Sequence, residues 1–166
     1  AQEIRGLKAM LTGLANTVID NVYVFGGYKN ATSPFDNTTG KCSGDTNVLQ
    51  VEVGDGVKQA VTSDGMSAFI GKSAFNDDDP DNYYNGHTVN IFKMFDKLDQ
   101  ALVNDETDKV RAELSRLDMA FKQINTTRSD MGVKMNRLEI SQTILEKTQE
   151  DTEKKIKEIE DADIVK

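Results

Sequence analysis

Apolar residues recur seven apart along the second half of the chain: Val110, Leu117, Ile124, Met131, Leu138, Leu145, Thr152 and Ile159, broken only by Thr152. A second series, offset by three or four, runs Leu114, Phe121, Arg128, Met135, Gln142, Gln149 and Ile156. Interleaved sevens make the stripe of a helix that packs along a partner in coiled-coil fashion. From Thr107 to Asp163 there is no Pro and Gly132 is the only Gly, so nothing forces a break. At 1.5 Å per residue such a helix is roughly 80 Å long, too long for a compact domain of this size. The pattern predicts a rod.

In the first half, Ile4, Leu7, Leu11, Leu14, Ala15 and Val18 fall on one helical face, predicting a helix over Gln2–Ile19. The character then changes. Tyr23, Val24 and Phe25 read as strand, closed by the turn signal Gly26-Gly27, and 29–46 is polar loop. Val48–Val53 and Val57–Thr62 flank Gly54-Asp55-Gly56 as a hairpin, and Asp64-Gly65 turns the chain into Met66–Ile70. After a polar stretch to His87, Val89, Phe92, Phe95, Leu98 and Leu102 predict a second helix from Thr88 to about Leu102. The link Val103–Glu106 is short, so this helix and the long one should be antiparallel neighbours, with Leu117 and Phe121 facing Phe92 and Phe95.

The fold class expected is therefore α+β. An elongated helical rod, 1–20 with 88–166, has its long C-terminal helix packed on an N-terminal helix and a short antiparallel helix. A small β-rich insertion domain occupies 21–87. The two shorter helices, roughly 27 and 22 Å by their rise, cannot cover the long stripe. Leu138 to Ile159 should await a partner, supplied either by residues preceding Ala1 or by another subunit.

Composition narrows the function. The net charge of −8 argues against nucleic acid, whose phosphates are bound through clustered Lys and Arg. One Cys (Cys42) and one His (His87) exclude an internal disulfide and the Cys/His zinc motifs. No apolar run reaches the length of a membrane span. Ala-Gln-Glu-Ile-Arg is no signal peptide, and the chain opens in helical pattern without a start Met, as a piece excised from a longer one would.

Short motifs then bring a family into view. Leu14-Ala15-Asn16-Thr17, Tyr23-Val24-Phe25-Gly26-Gly27, Pro34-Phe35 and Gly44-Asp45 resemble the hook-filament junction branch of the flagellin superfamily. Arg128-Ser129-Asp130-Met131-Gly132, Asn136-Arg137-Leu138 and Ile159-Glu160-Asp161-Ala162-Asp163 look like the C-terminal signature shared with flagellins. Flagellin itself is less similar, because a filament subunit continues from its first helix into a second one. The departures are Val133, where the family more often has Ala, and the acidic loop at Asp77–Asp81.

The resemblance implies a structural subunit, not an enzyme, exported through the flagellar channel without a cleaved signal and located on the extracellular flagellum. It implies as partners neighbouring copies in a ring, hook-associated protein 1, flagellin and an export chaperone, and no cofactor. Terminal heptad segments, which this chain lacks, would carry the axial contacts, so alone it should be a monomer or at most a weak dimer. The alternative is a surface-exposed binding or adhesion module whose β-rich insertion recognises a glycan or host protein.

Other candidate sites are poorer. Asp77, Asp79 and Asp81 match the first ligands of a calcium loop, but Asn82 stands where Gly belongs and Thr88 where the bidentate Glu should be. That segment reads as a solvated acidic loop. Nothing resembling a nucleophile elbow surrounds any Ser. Asn30, Asn37 and Asn125 fit the glycosylation pattern incidentally. Arg128 occupies an apolar slot in the stripe: either its stem packs on the seam while its head reaches water, or its guanidinium fixes register against a carboxylate or carbonyl. Arg128, Gly132 and Asn136 are spaced by four, and Gly132 would let another backbone come close. With Asn16 and Arg137 they form the expected interaction surface.

Overall fold

The computed structural model describes residues 1–54, 56–71 and 88–164, with side chains as far as Asp161. The elements, in order, are α1 (Gln2–Ala15), β1 (Val18–Ile19), β2 (Val22–Tyr23), β3 (Gln50–Gly54), β4 (Val57–Ala60), a π-helical turn (Met66–Ile70), α2 (Ile91–Val103) and α3 (Thr107–Ile164). The elongated α+β rod expected from the periodicity is present. Its 58-residue α3 is roughly 87 Å long at helical rise.

α1 stops four residues short of the expected Ile19. Thr17, Val18 and Ile19 are β-branched and favour extended backbone. Asp20 and Asn21 then take φ of 49° and 63°, the conformation of a two-residue primed hairpin turn. β1 therefore pairs antiparallel with β2, Val18 opposite Tyr23 and Ile19 opposite Val22. This also displaces the expected Tyr23–Phe25 strand, and Phe25 turns inward. The hairpin of β3 and β4 forms as expected, Val51 opposite Gln59, with an irregularity between Glu52 and Gly54. Met66–Ile70 coils into one wide helical turn that buries Ala68, Phe69 and Ile70. α2 begins at Ile91 and not at Thr88, because the Asn90 side chain accepts the Lys93 N–H as an N-cap.

The core is aromatic and shared between segments. Phe69 meets Phe25 edge-on at 5.1 Å between ring centres, and Phe35 lies 5.4 Å from Phe69 and 5.3 Å from Phe92. Such tilted and T-shaped pairs suit the ring quadrupoles. One loop, one wide turn and α2 thus contribute to a single cluster, with Ala15 of α1 at its edge. A second cluster joins Val89, Ile91 and Met94 to Ala120 of α3. α1 is fastened to α2 by Arg5 Nε to Asp99 at 2.8 Å and Lys8 Nζ to Asp96 at 2.7 Å.

The seam between α2 and α3 corrects the expected one. Phe121 is 68% exposed and Leu117 40% exposed, so neither is the main packing residue against Phe92 and Phe95. Ala120 and Gln123 are buried there instead, with Ile124 beside them. Two physical causes combine. Ala120 is small enough for the helices to approach closely, and Gln123 must face inward to reach its backbone partners. Adjacent helical positions differ by about 100°, so turning 120 and 123 inward carries 121 out.

Candidate interaction surface

Turning the long helix this way leaves its heptad stripe open along one side. Near α1 the open stripe forms the wall of an apolar groove of about 410 Å³. Leu7, Met10 and Leu14 of α1 face Leu117 and Phe121 of α3 across it, over a floor that includes Phe95 and Ala120. Leu7, Met10, Leu14 and Phe121 are each at least half exposed. Towards the C-terminus no described residue covers the helix: every described side chain from Gln142 to Asp161 is exposed. Leu145, Ile156 and Ile159 lie there, continuing the stripe. Single exposed apolar residues are ordinary on a protein surface, but a contiguous stripe marks a contact surface.

The five residues expected at the interaction surface divide. Arg128, Gly132 and Asn136 all lie exposed on α3, and a Cβ added at Gly132 would meet nothing within 4 Å. Room for a close backbone is therefore present, and no described residue of this chain fills it. Arg137 is exposed on another side of the helix, lining a cavity with Lys122 and Lys134. Lys134 Nζ donates to Thr62 O at 2.8 Å there, tying the β3–β4 region to the rod. Asn16 works inside the chain. Its Nδ2 donates to Phe35 O at 2.7 Å and to Asn37 Oδ1 at 3.1 Å, and its Oδ1 accepts the Phe35 N–H at 2.9 Å.

Two carboxylates organise the loop that brings Phe35 into the core. Asp36 accepts from the N–H and hydroxyl of Thr39 and from Thr38 N–H. Those hydrogen bonds, the Thr39 N–H foremost, hold its carboxyl below the ordinary range. Asp45 is lowered too, chiefly by the Tyr28 N–H and then by Asn47. Among the described residues no group of three or more His, Cys, Asp or Glu could hold a metal, and no helix is long and apolar enough to cross a membrane. The acidic stretch Asp77–Asp81 and His87 lie outside the described residues.

Sequence reasoning missed Gln123. Its Oε1 accepts the Val89 N–H at 3.0 Å, and its Nε2 donates to Ala68 O at 2.9 Å and Val89 O at 3.2 Å. A Gln beside an apolar stripe looks like a solvated flank, and only the tertiary partners reveal it.

The long helix packs on α2, α2 in turn packs on α1, and the heptad stripe stays open among the described residues. Residues 114–166 match the family of the bacterial flagellin C-terminal helical region. The particular likeness is to Flagellar hook-associated protein 3. The chain is 29% identical to that protein of Escherichia coli (strain K12) over 150 residues, which are 84% of this chain and 47% of the relative. It is 26% identical to that of Salmonella typhimurium (strain LT2) over 149 residues, 83% of this chain and 46% of the relative. The resemblance read from the short motifs is thus borne out, and the chain spans about half the length of these curated relatives.

Proposed function

We propose that this chain is part of a structural subunit of the bacterial flagellum, placed at the hook-filament junction between a hook-associated protein and the flagellin filament. The observation that carries this reading is the likeness to hook-associated protein 3, which extends over 84% of the chain and so includes the β-rich segment as well as α3. The free stripe of α3 supports an assembly role, since an exposed heptad face is stabilised by packing along another helix. In this reading the rod (1–20 and 88–166) faces neighbouring subunits and the β-rich segment (21–87) faces outward. Arg128, Gly132 and Asn136 serve as contact positions on the rod. The role is structural and extracellular, reached through the flagellar export system with the help of a chaperone.

Immunogold labelling of native flagella with an antibody to this chain tests the assignment. One band between hook and filament is expected. Labelling along the whole filament would make the protein a filament subunit, and absence of label from flagella would overturn the reading altogether.

A further inference from the structure

The uncovered end of α3 carries a charge pattern that specifies its partner. Taking Gln142, Gln149 and Ile156 as heptad positions a, and Leu138, Leu145, Thr152 and Ile159 as d, the e positions are Glu139, Glu146, Glu153 and Glu160. All four are exposed. Two are held by their own helix, Gln142 Nε2 donating to Glu146 Oε1 at 2.8 Å and Gln149 Nε2 to Glu153 Oε1 at 3.0 Å. The opposite flank, g, offers Lys134, Ser141, Thr148 and Lys155, and Lys134 Nζ already donates to Thr62 O. One side of the stripe is therefore an unbroken carboxylate row, and the other carries two cations, one of them engaged.

In a coiled coil the flanking positions set partner choice and orientation. Two antiparallel copies of this helix would set one Glu row against the other. Two parallel copies would set each row against Ser141, Thr148 and only two cations, Lys155 and the already engaged Lys134. Neither arrangement neutralises the row, and a net charge of −8 per chain adds to the repulsion.

We propose that the stripe from Leu138 to Ile159 docks an amphipathic helix bearing a row of Lys or Arg along one flank, and not a second copy of this chain. The acidic row selects that helix and rejects acidic ones. This inference needs only the sequence and geometry of α3 and does not depend on the place of the chain in a flagellum.

The test uses the 166-residue chain and two labelled four-heptad peptides with the same Leu and Ile stripe, one with Lys at both flanks and one with Glu. Anisotropy titration at about 0.05 M salt should show the Lys peptide binding roughly tenfold tighter, the sum expected of several exposed ion pairs. The preference should shrink near 1 M salt, where the screening length is about 3 Å. Replacing all four Glu by Gln should abolish it, and by Lys invert it, with circular dichroism showing the helix retained. Leu145→Asp should remove binding of both peptides.

Equal affinity for the two peptides, binding of neither, or binding undiminished by Leu145→Asp would overturn the proposal. So would self-association of the chain in preference to the Lys peptide, as read by sedimentation.

Discussion

Gln123 occupies both backbone hydrogen-bonding groups of Val89, accepting its N–H at 3.0 Å and donating to its carbonyl at 3.2 Å. Val89 is fully buried, and its peptide finds on α3 the partner that a neighbouring strand would otherwise supply. The same amide reaches Ala68 O, so one side chain joins the wide turn, the entry to α2 and the long helix.

Gln123→Leu keeps approximate volume but strands those groups. Its cost should be about 3 kcal/mol, by the penalty for buried unsatisfied polar groups. Gln123→Glu should also be destabilising, because a carboxylate would face two carbonyl oxygens, and protonating it at low pH should recover part of the loss. Chemical denaturation at two pH values checks both. Wild-type stability in Gln123→Leu would mean that the clasp contributes nothing.

Phe92 and Phe121 separate the two faces of the helical layer. Phe92→Ala should cost about 3 to 5 kcal/mol, since Phe92 is fully buried among Phe35 and Phe69. Phe121→Ala should change stability by no more than about 0.5 kcal/mol, as an exposed substitution does. Thermal melting of the two variants gives the comparison. Equal losses would place Phe121 in the core.

Gly40 adopts φ of +70°, and a Cβ there would strike the Phe92 ring. Gly40→Ala combines backbone strain with overpacking and should cost about 2 kcal/mol or more. Gly132→Ala, with open space around it, should leave the isolated chain as stable or slightly more so. Paired denaturation curves distinguish the two positions.

Acid should loosen the loop that carries Phe35. The carboxyls of Asp36 and Asp45 are lowered in the folded state from their ordinary 3.8. Below that value an unfolded chain binds more protons than the folded one, so stability falls as pH drops. The contribution is complete above pH 3.8 and disappears once the pH passes below the folded values. Melting temperature measured downward from about pH 5 should fall less steeply in Asp36→Asn/Asp45→Asn than in wild type. Parallel curves would show that these carboxylates do not set the acid limb.

Small-angle scattering should report a radius of gyration well above the ~15 Å of a compact chain of this length. A compact value would contradict the extended α3.

The rod was legible in the sequence because a seven-residue repeat sustained from Val110 to Ile159 fits little besides a long helix. The β3–β4 hairpin was legible too, from Gly turns between β-branched runs. What the pattern did not reveal was rotation. A heptad stripe announces that a helix packs but not against what, and here α2 takes the neighbouring face through Ala120 and Gln123. Asn16 illustrates the same limit. The motif around it supports the family resemblance, yet its amide turns out to clasp the Phe35 peptide within the chain. The helix overrun at Val18 and Ile19 arose from apolar periodicity continuing past the point where Asp20 and Asn21 demand positive φ.

The unsupported end of α3 also implies a gradient of backbone protection. Amides near Gln123 are opened only when the buried clusters come apart. Beyond Gln142 the described residues give each amide no support besides the helical ladder, so local opening of the helix suffices to expose it. Deuterium uptake should therefore be faster between Gln142 and Ile159 than around Gln123, and trypsin should cut first at Lys147, Lys154, Lys155 and Lys157. Any helix that docks on the stripe would slow both, so the soft end of the rod doubles as its own reporter of occupancy.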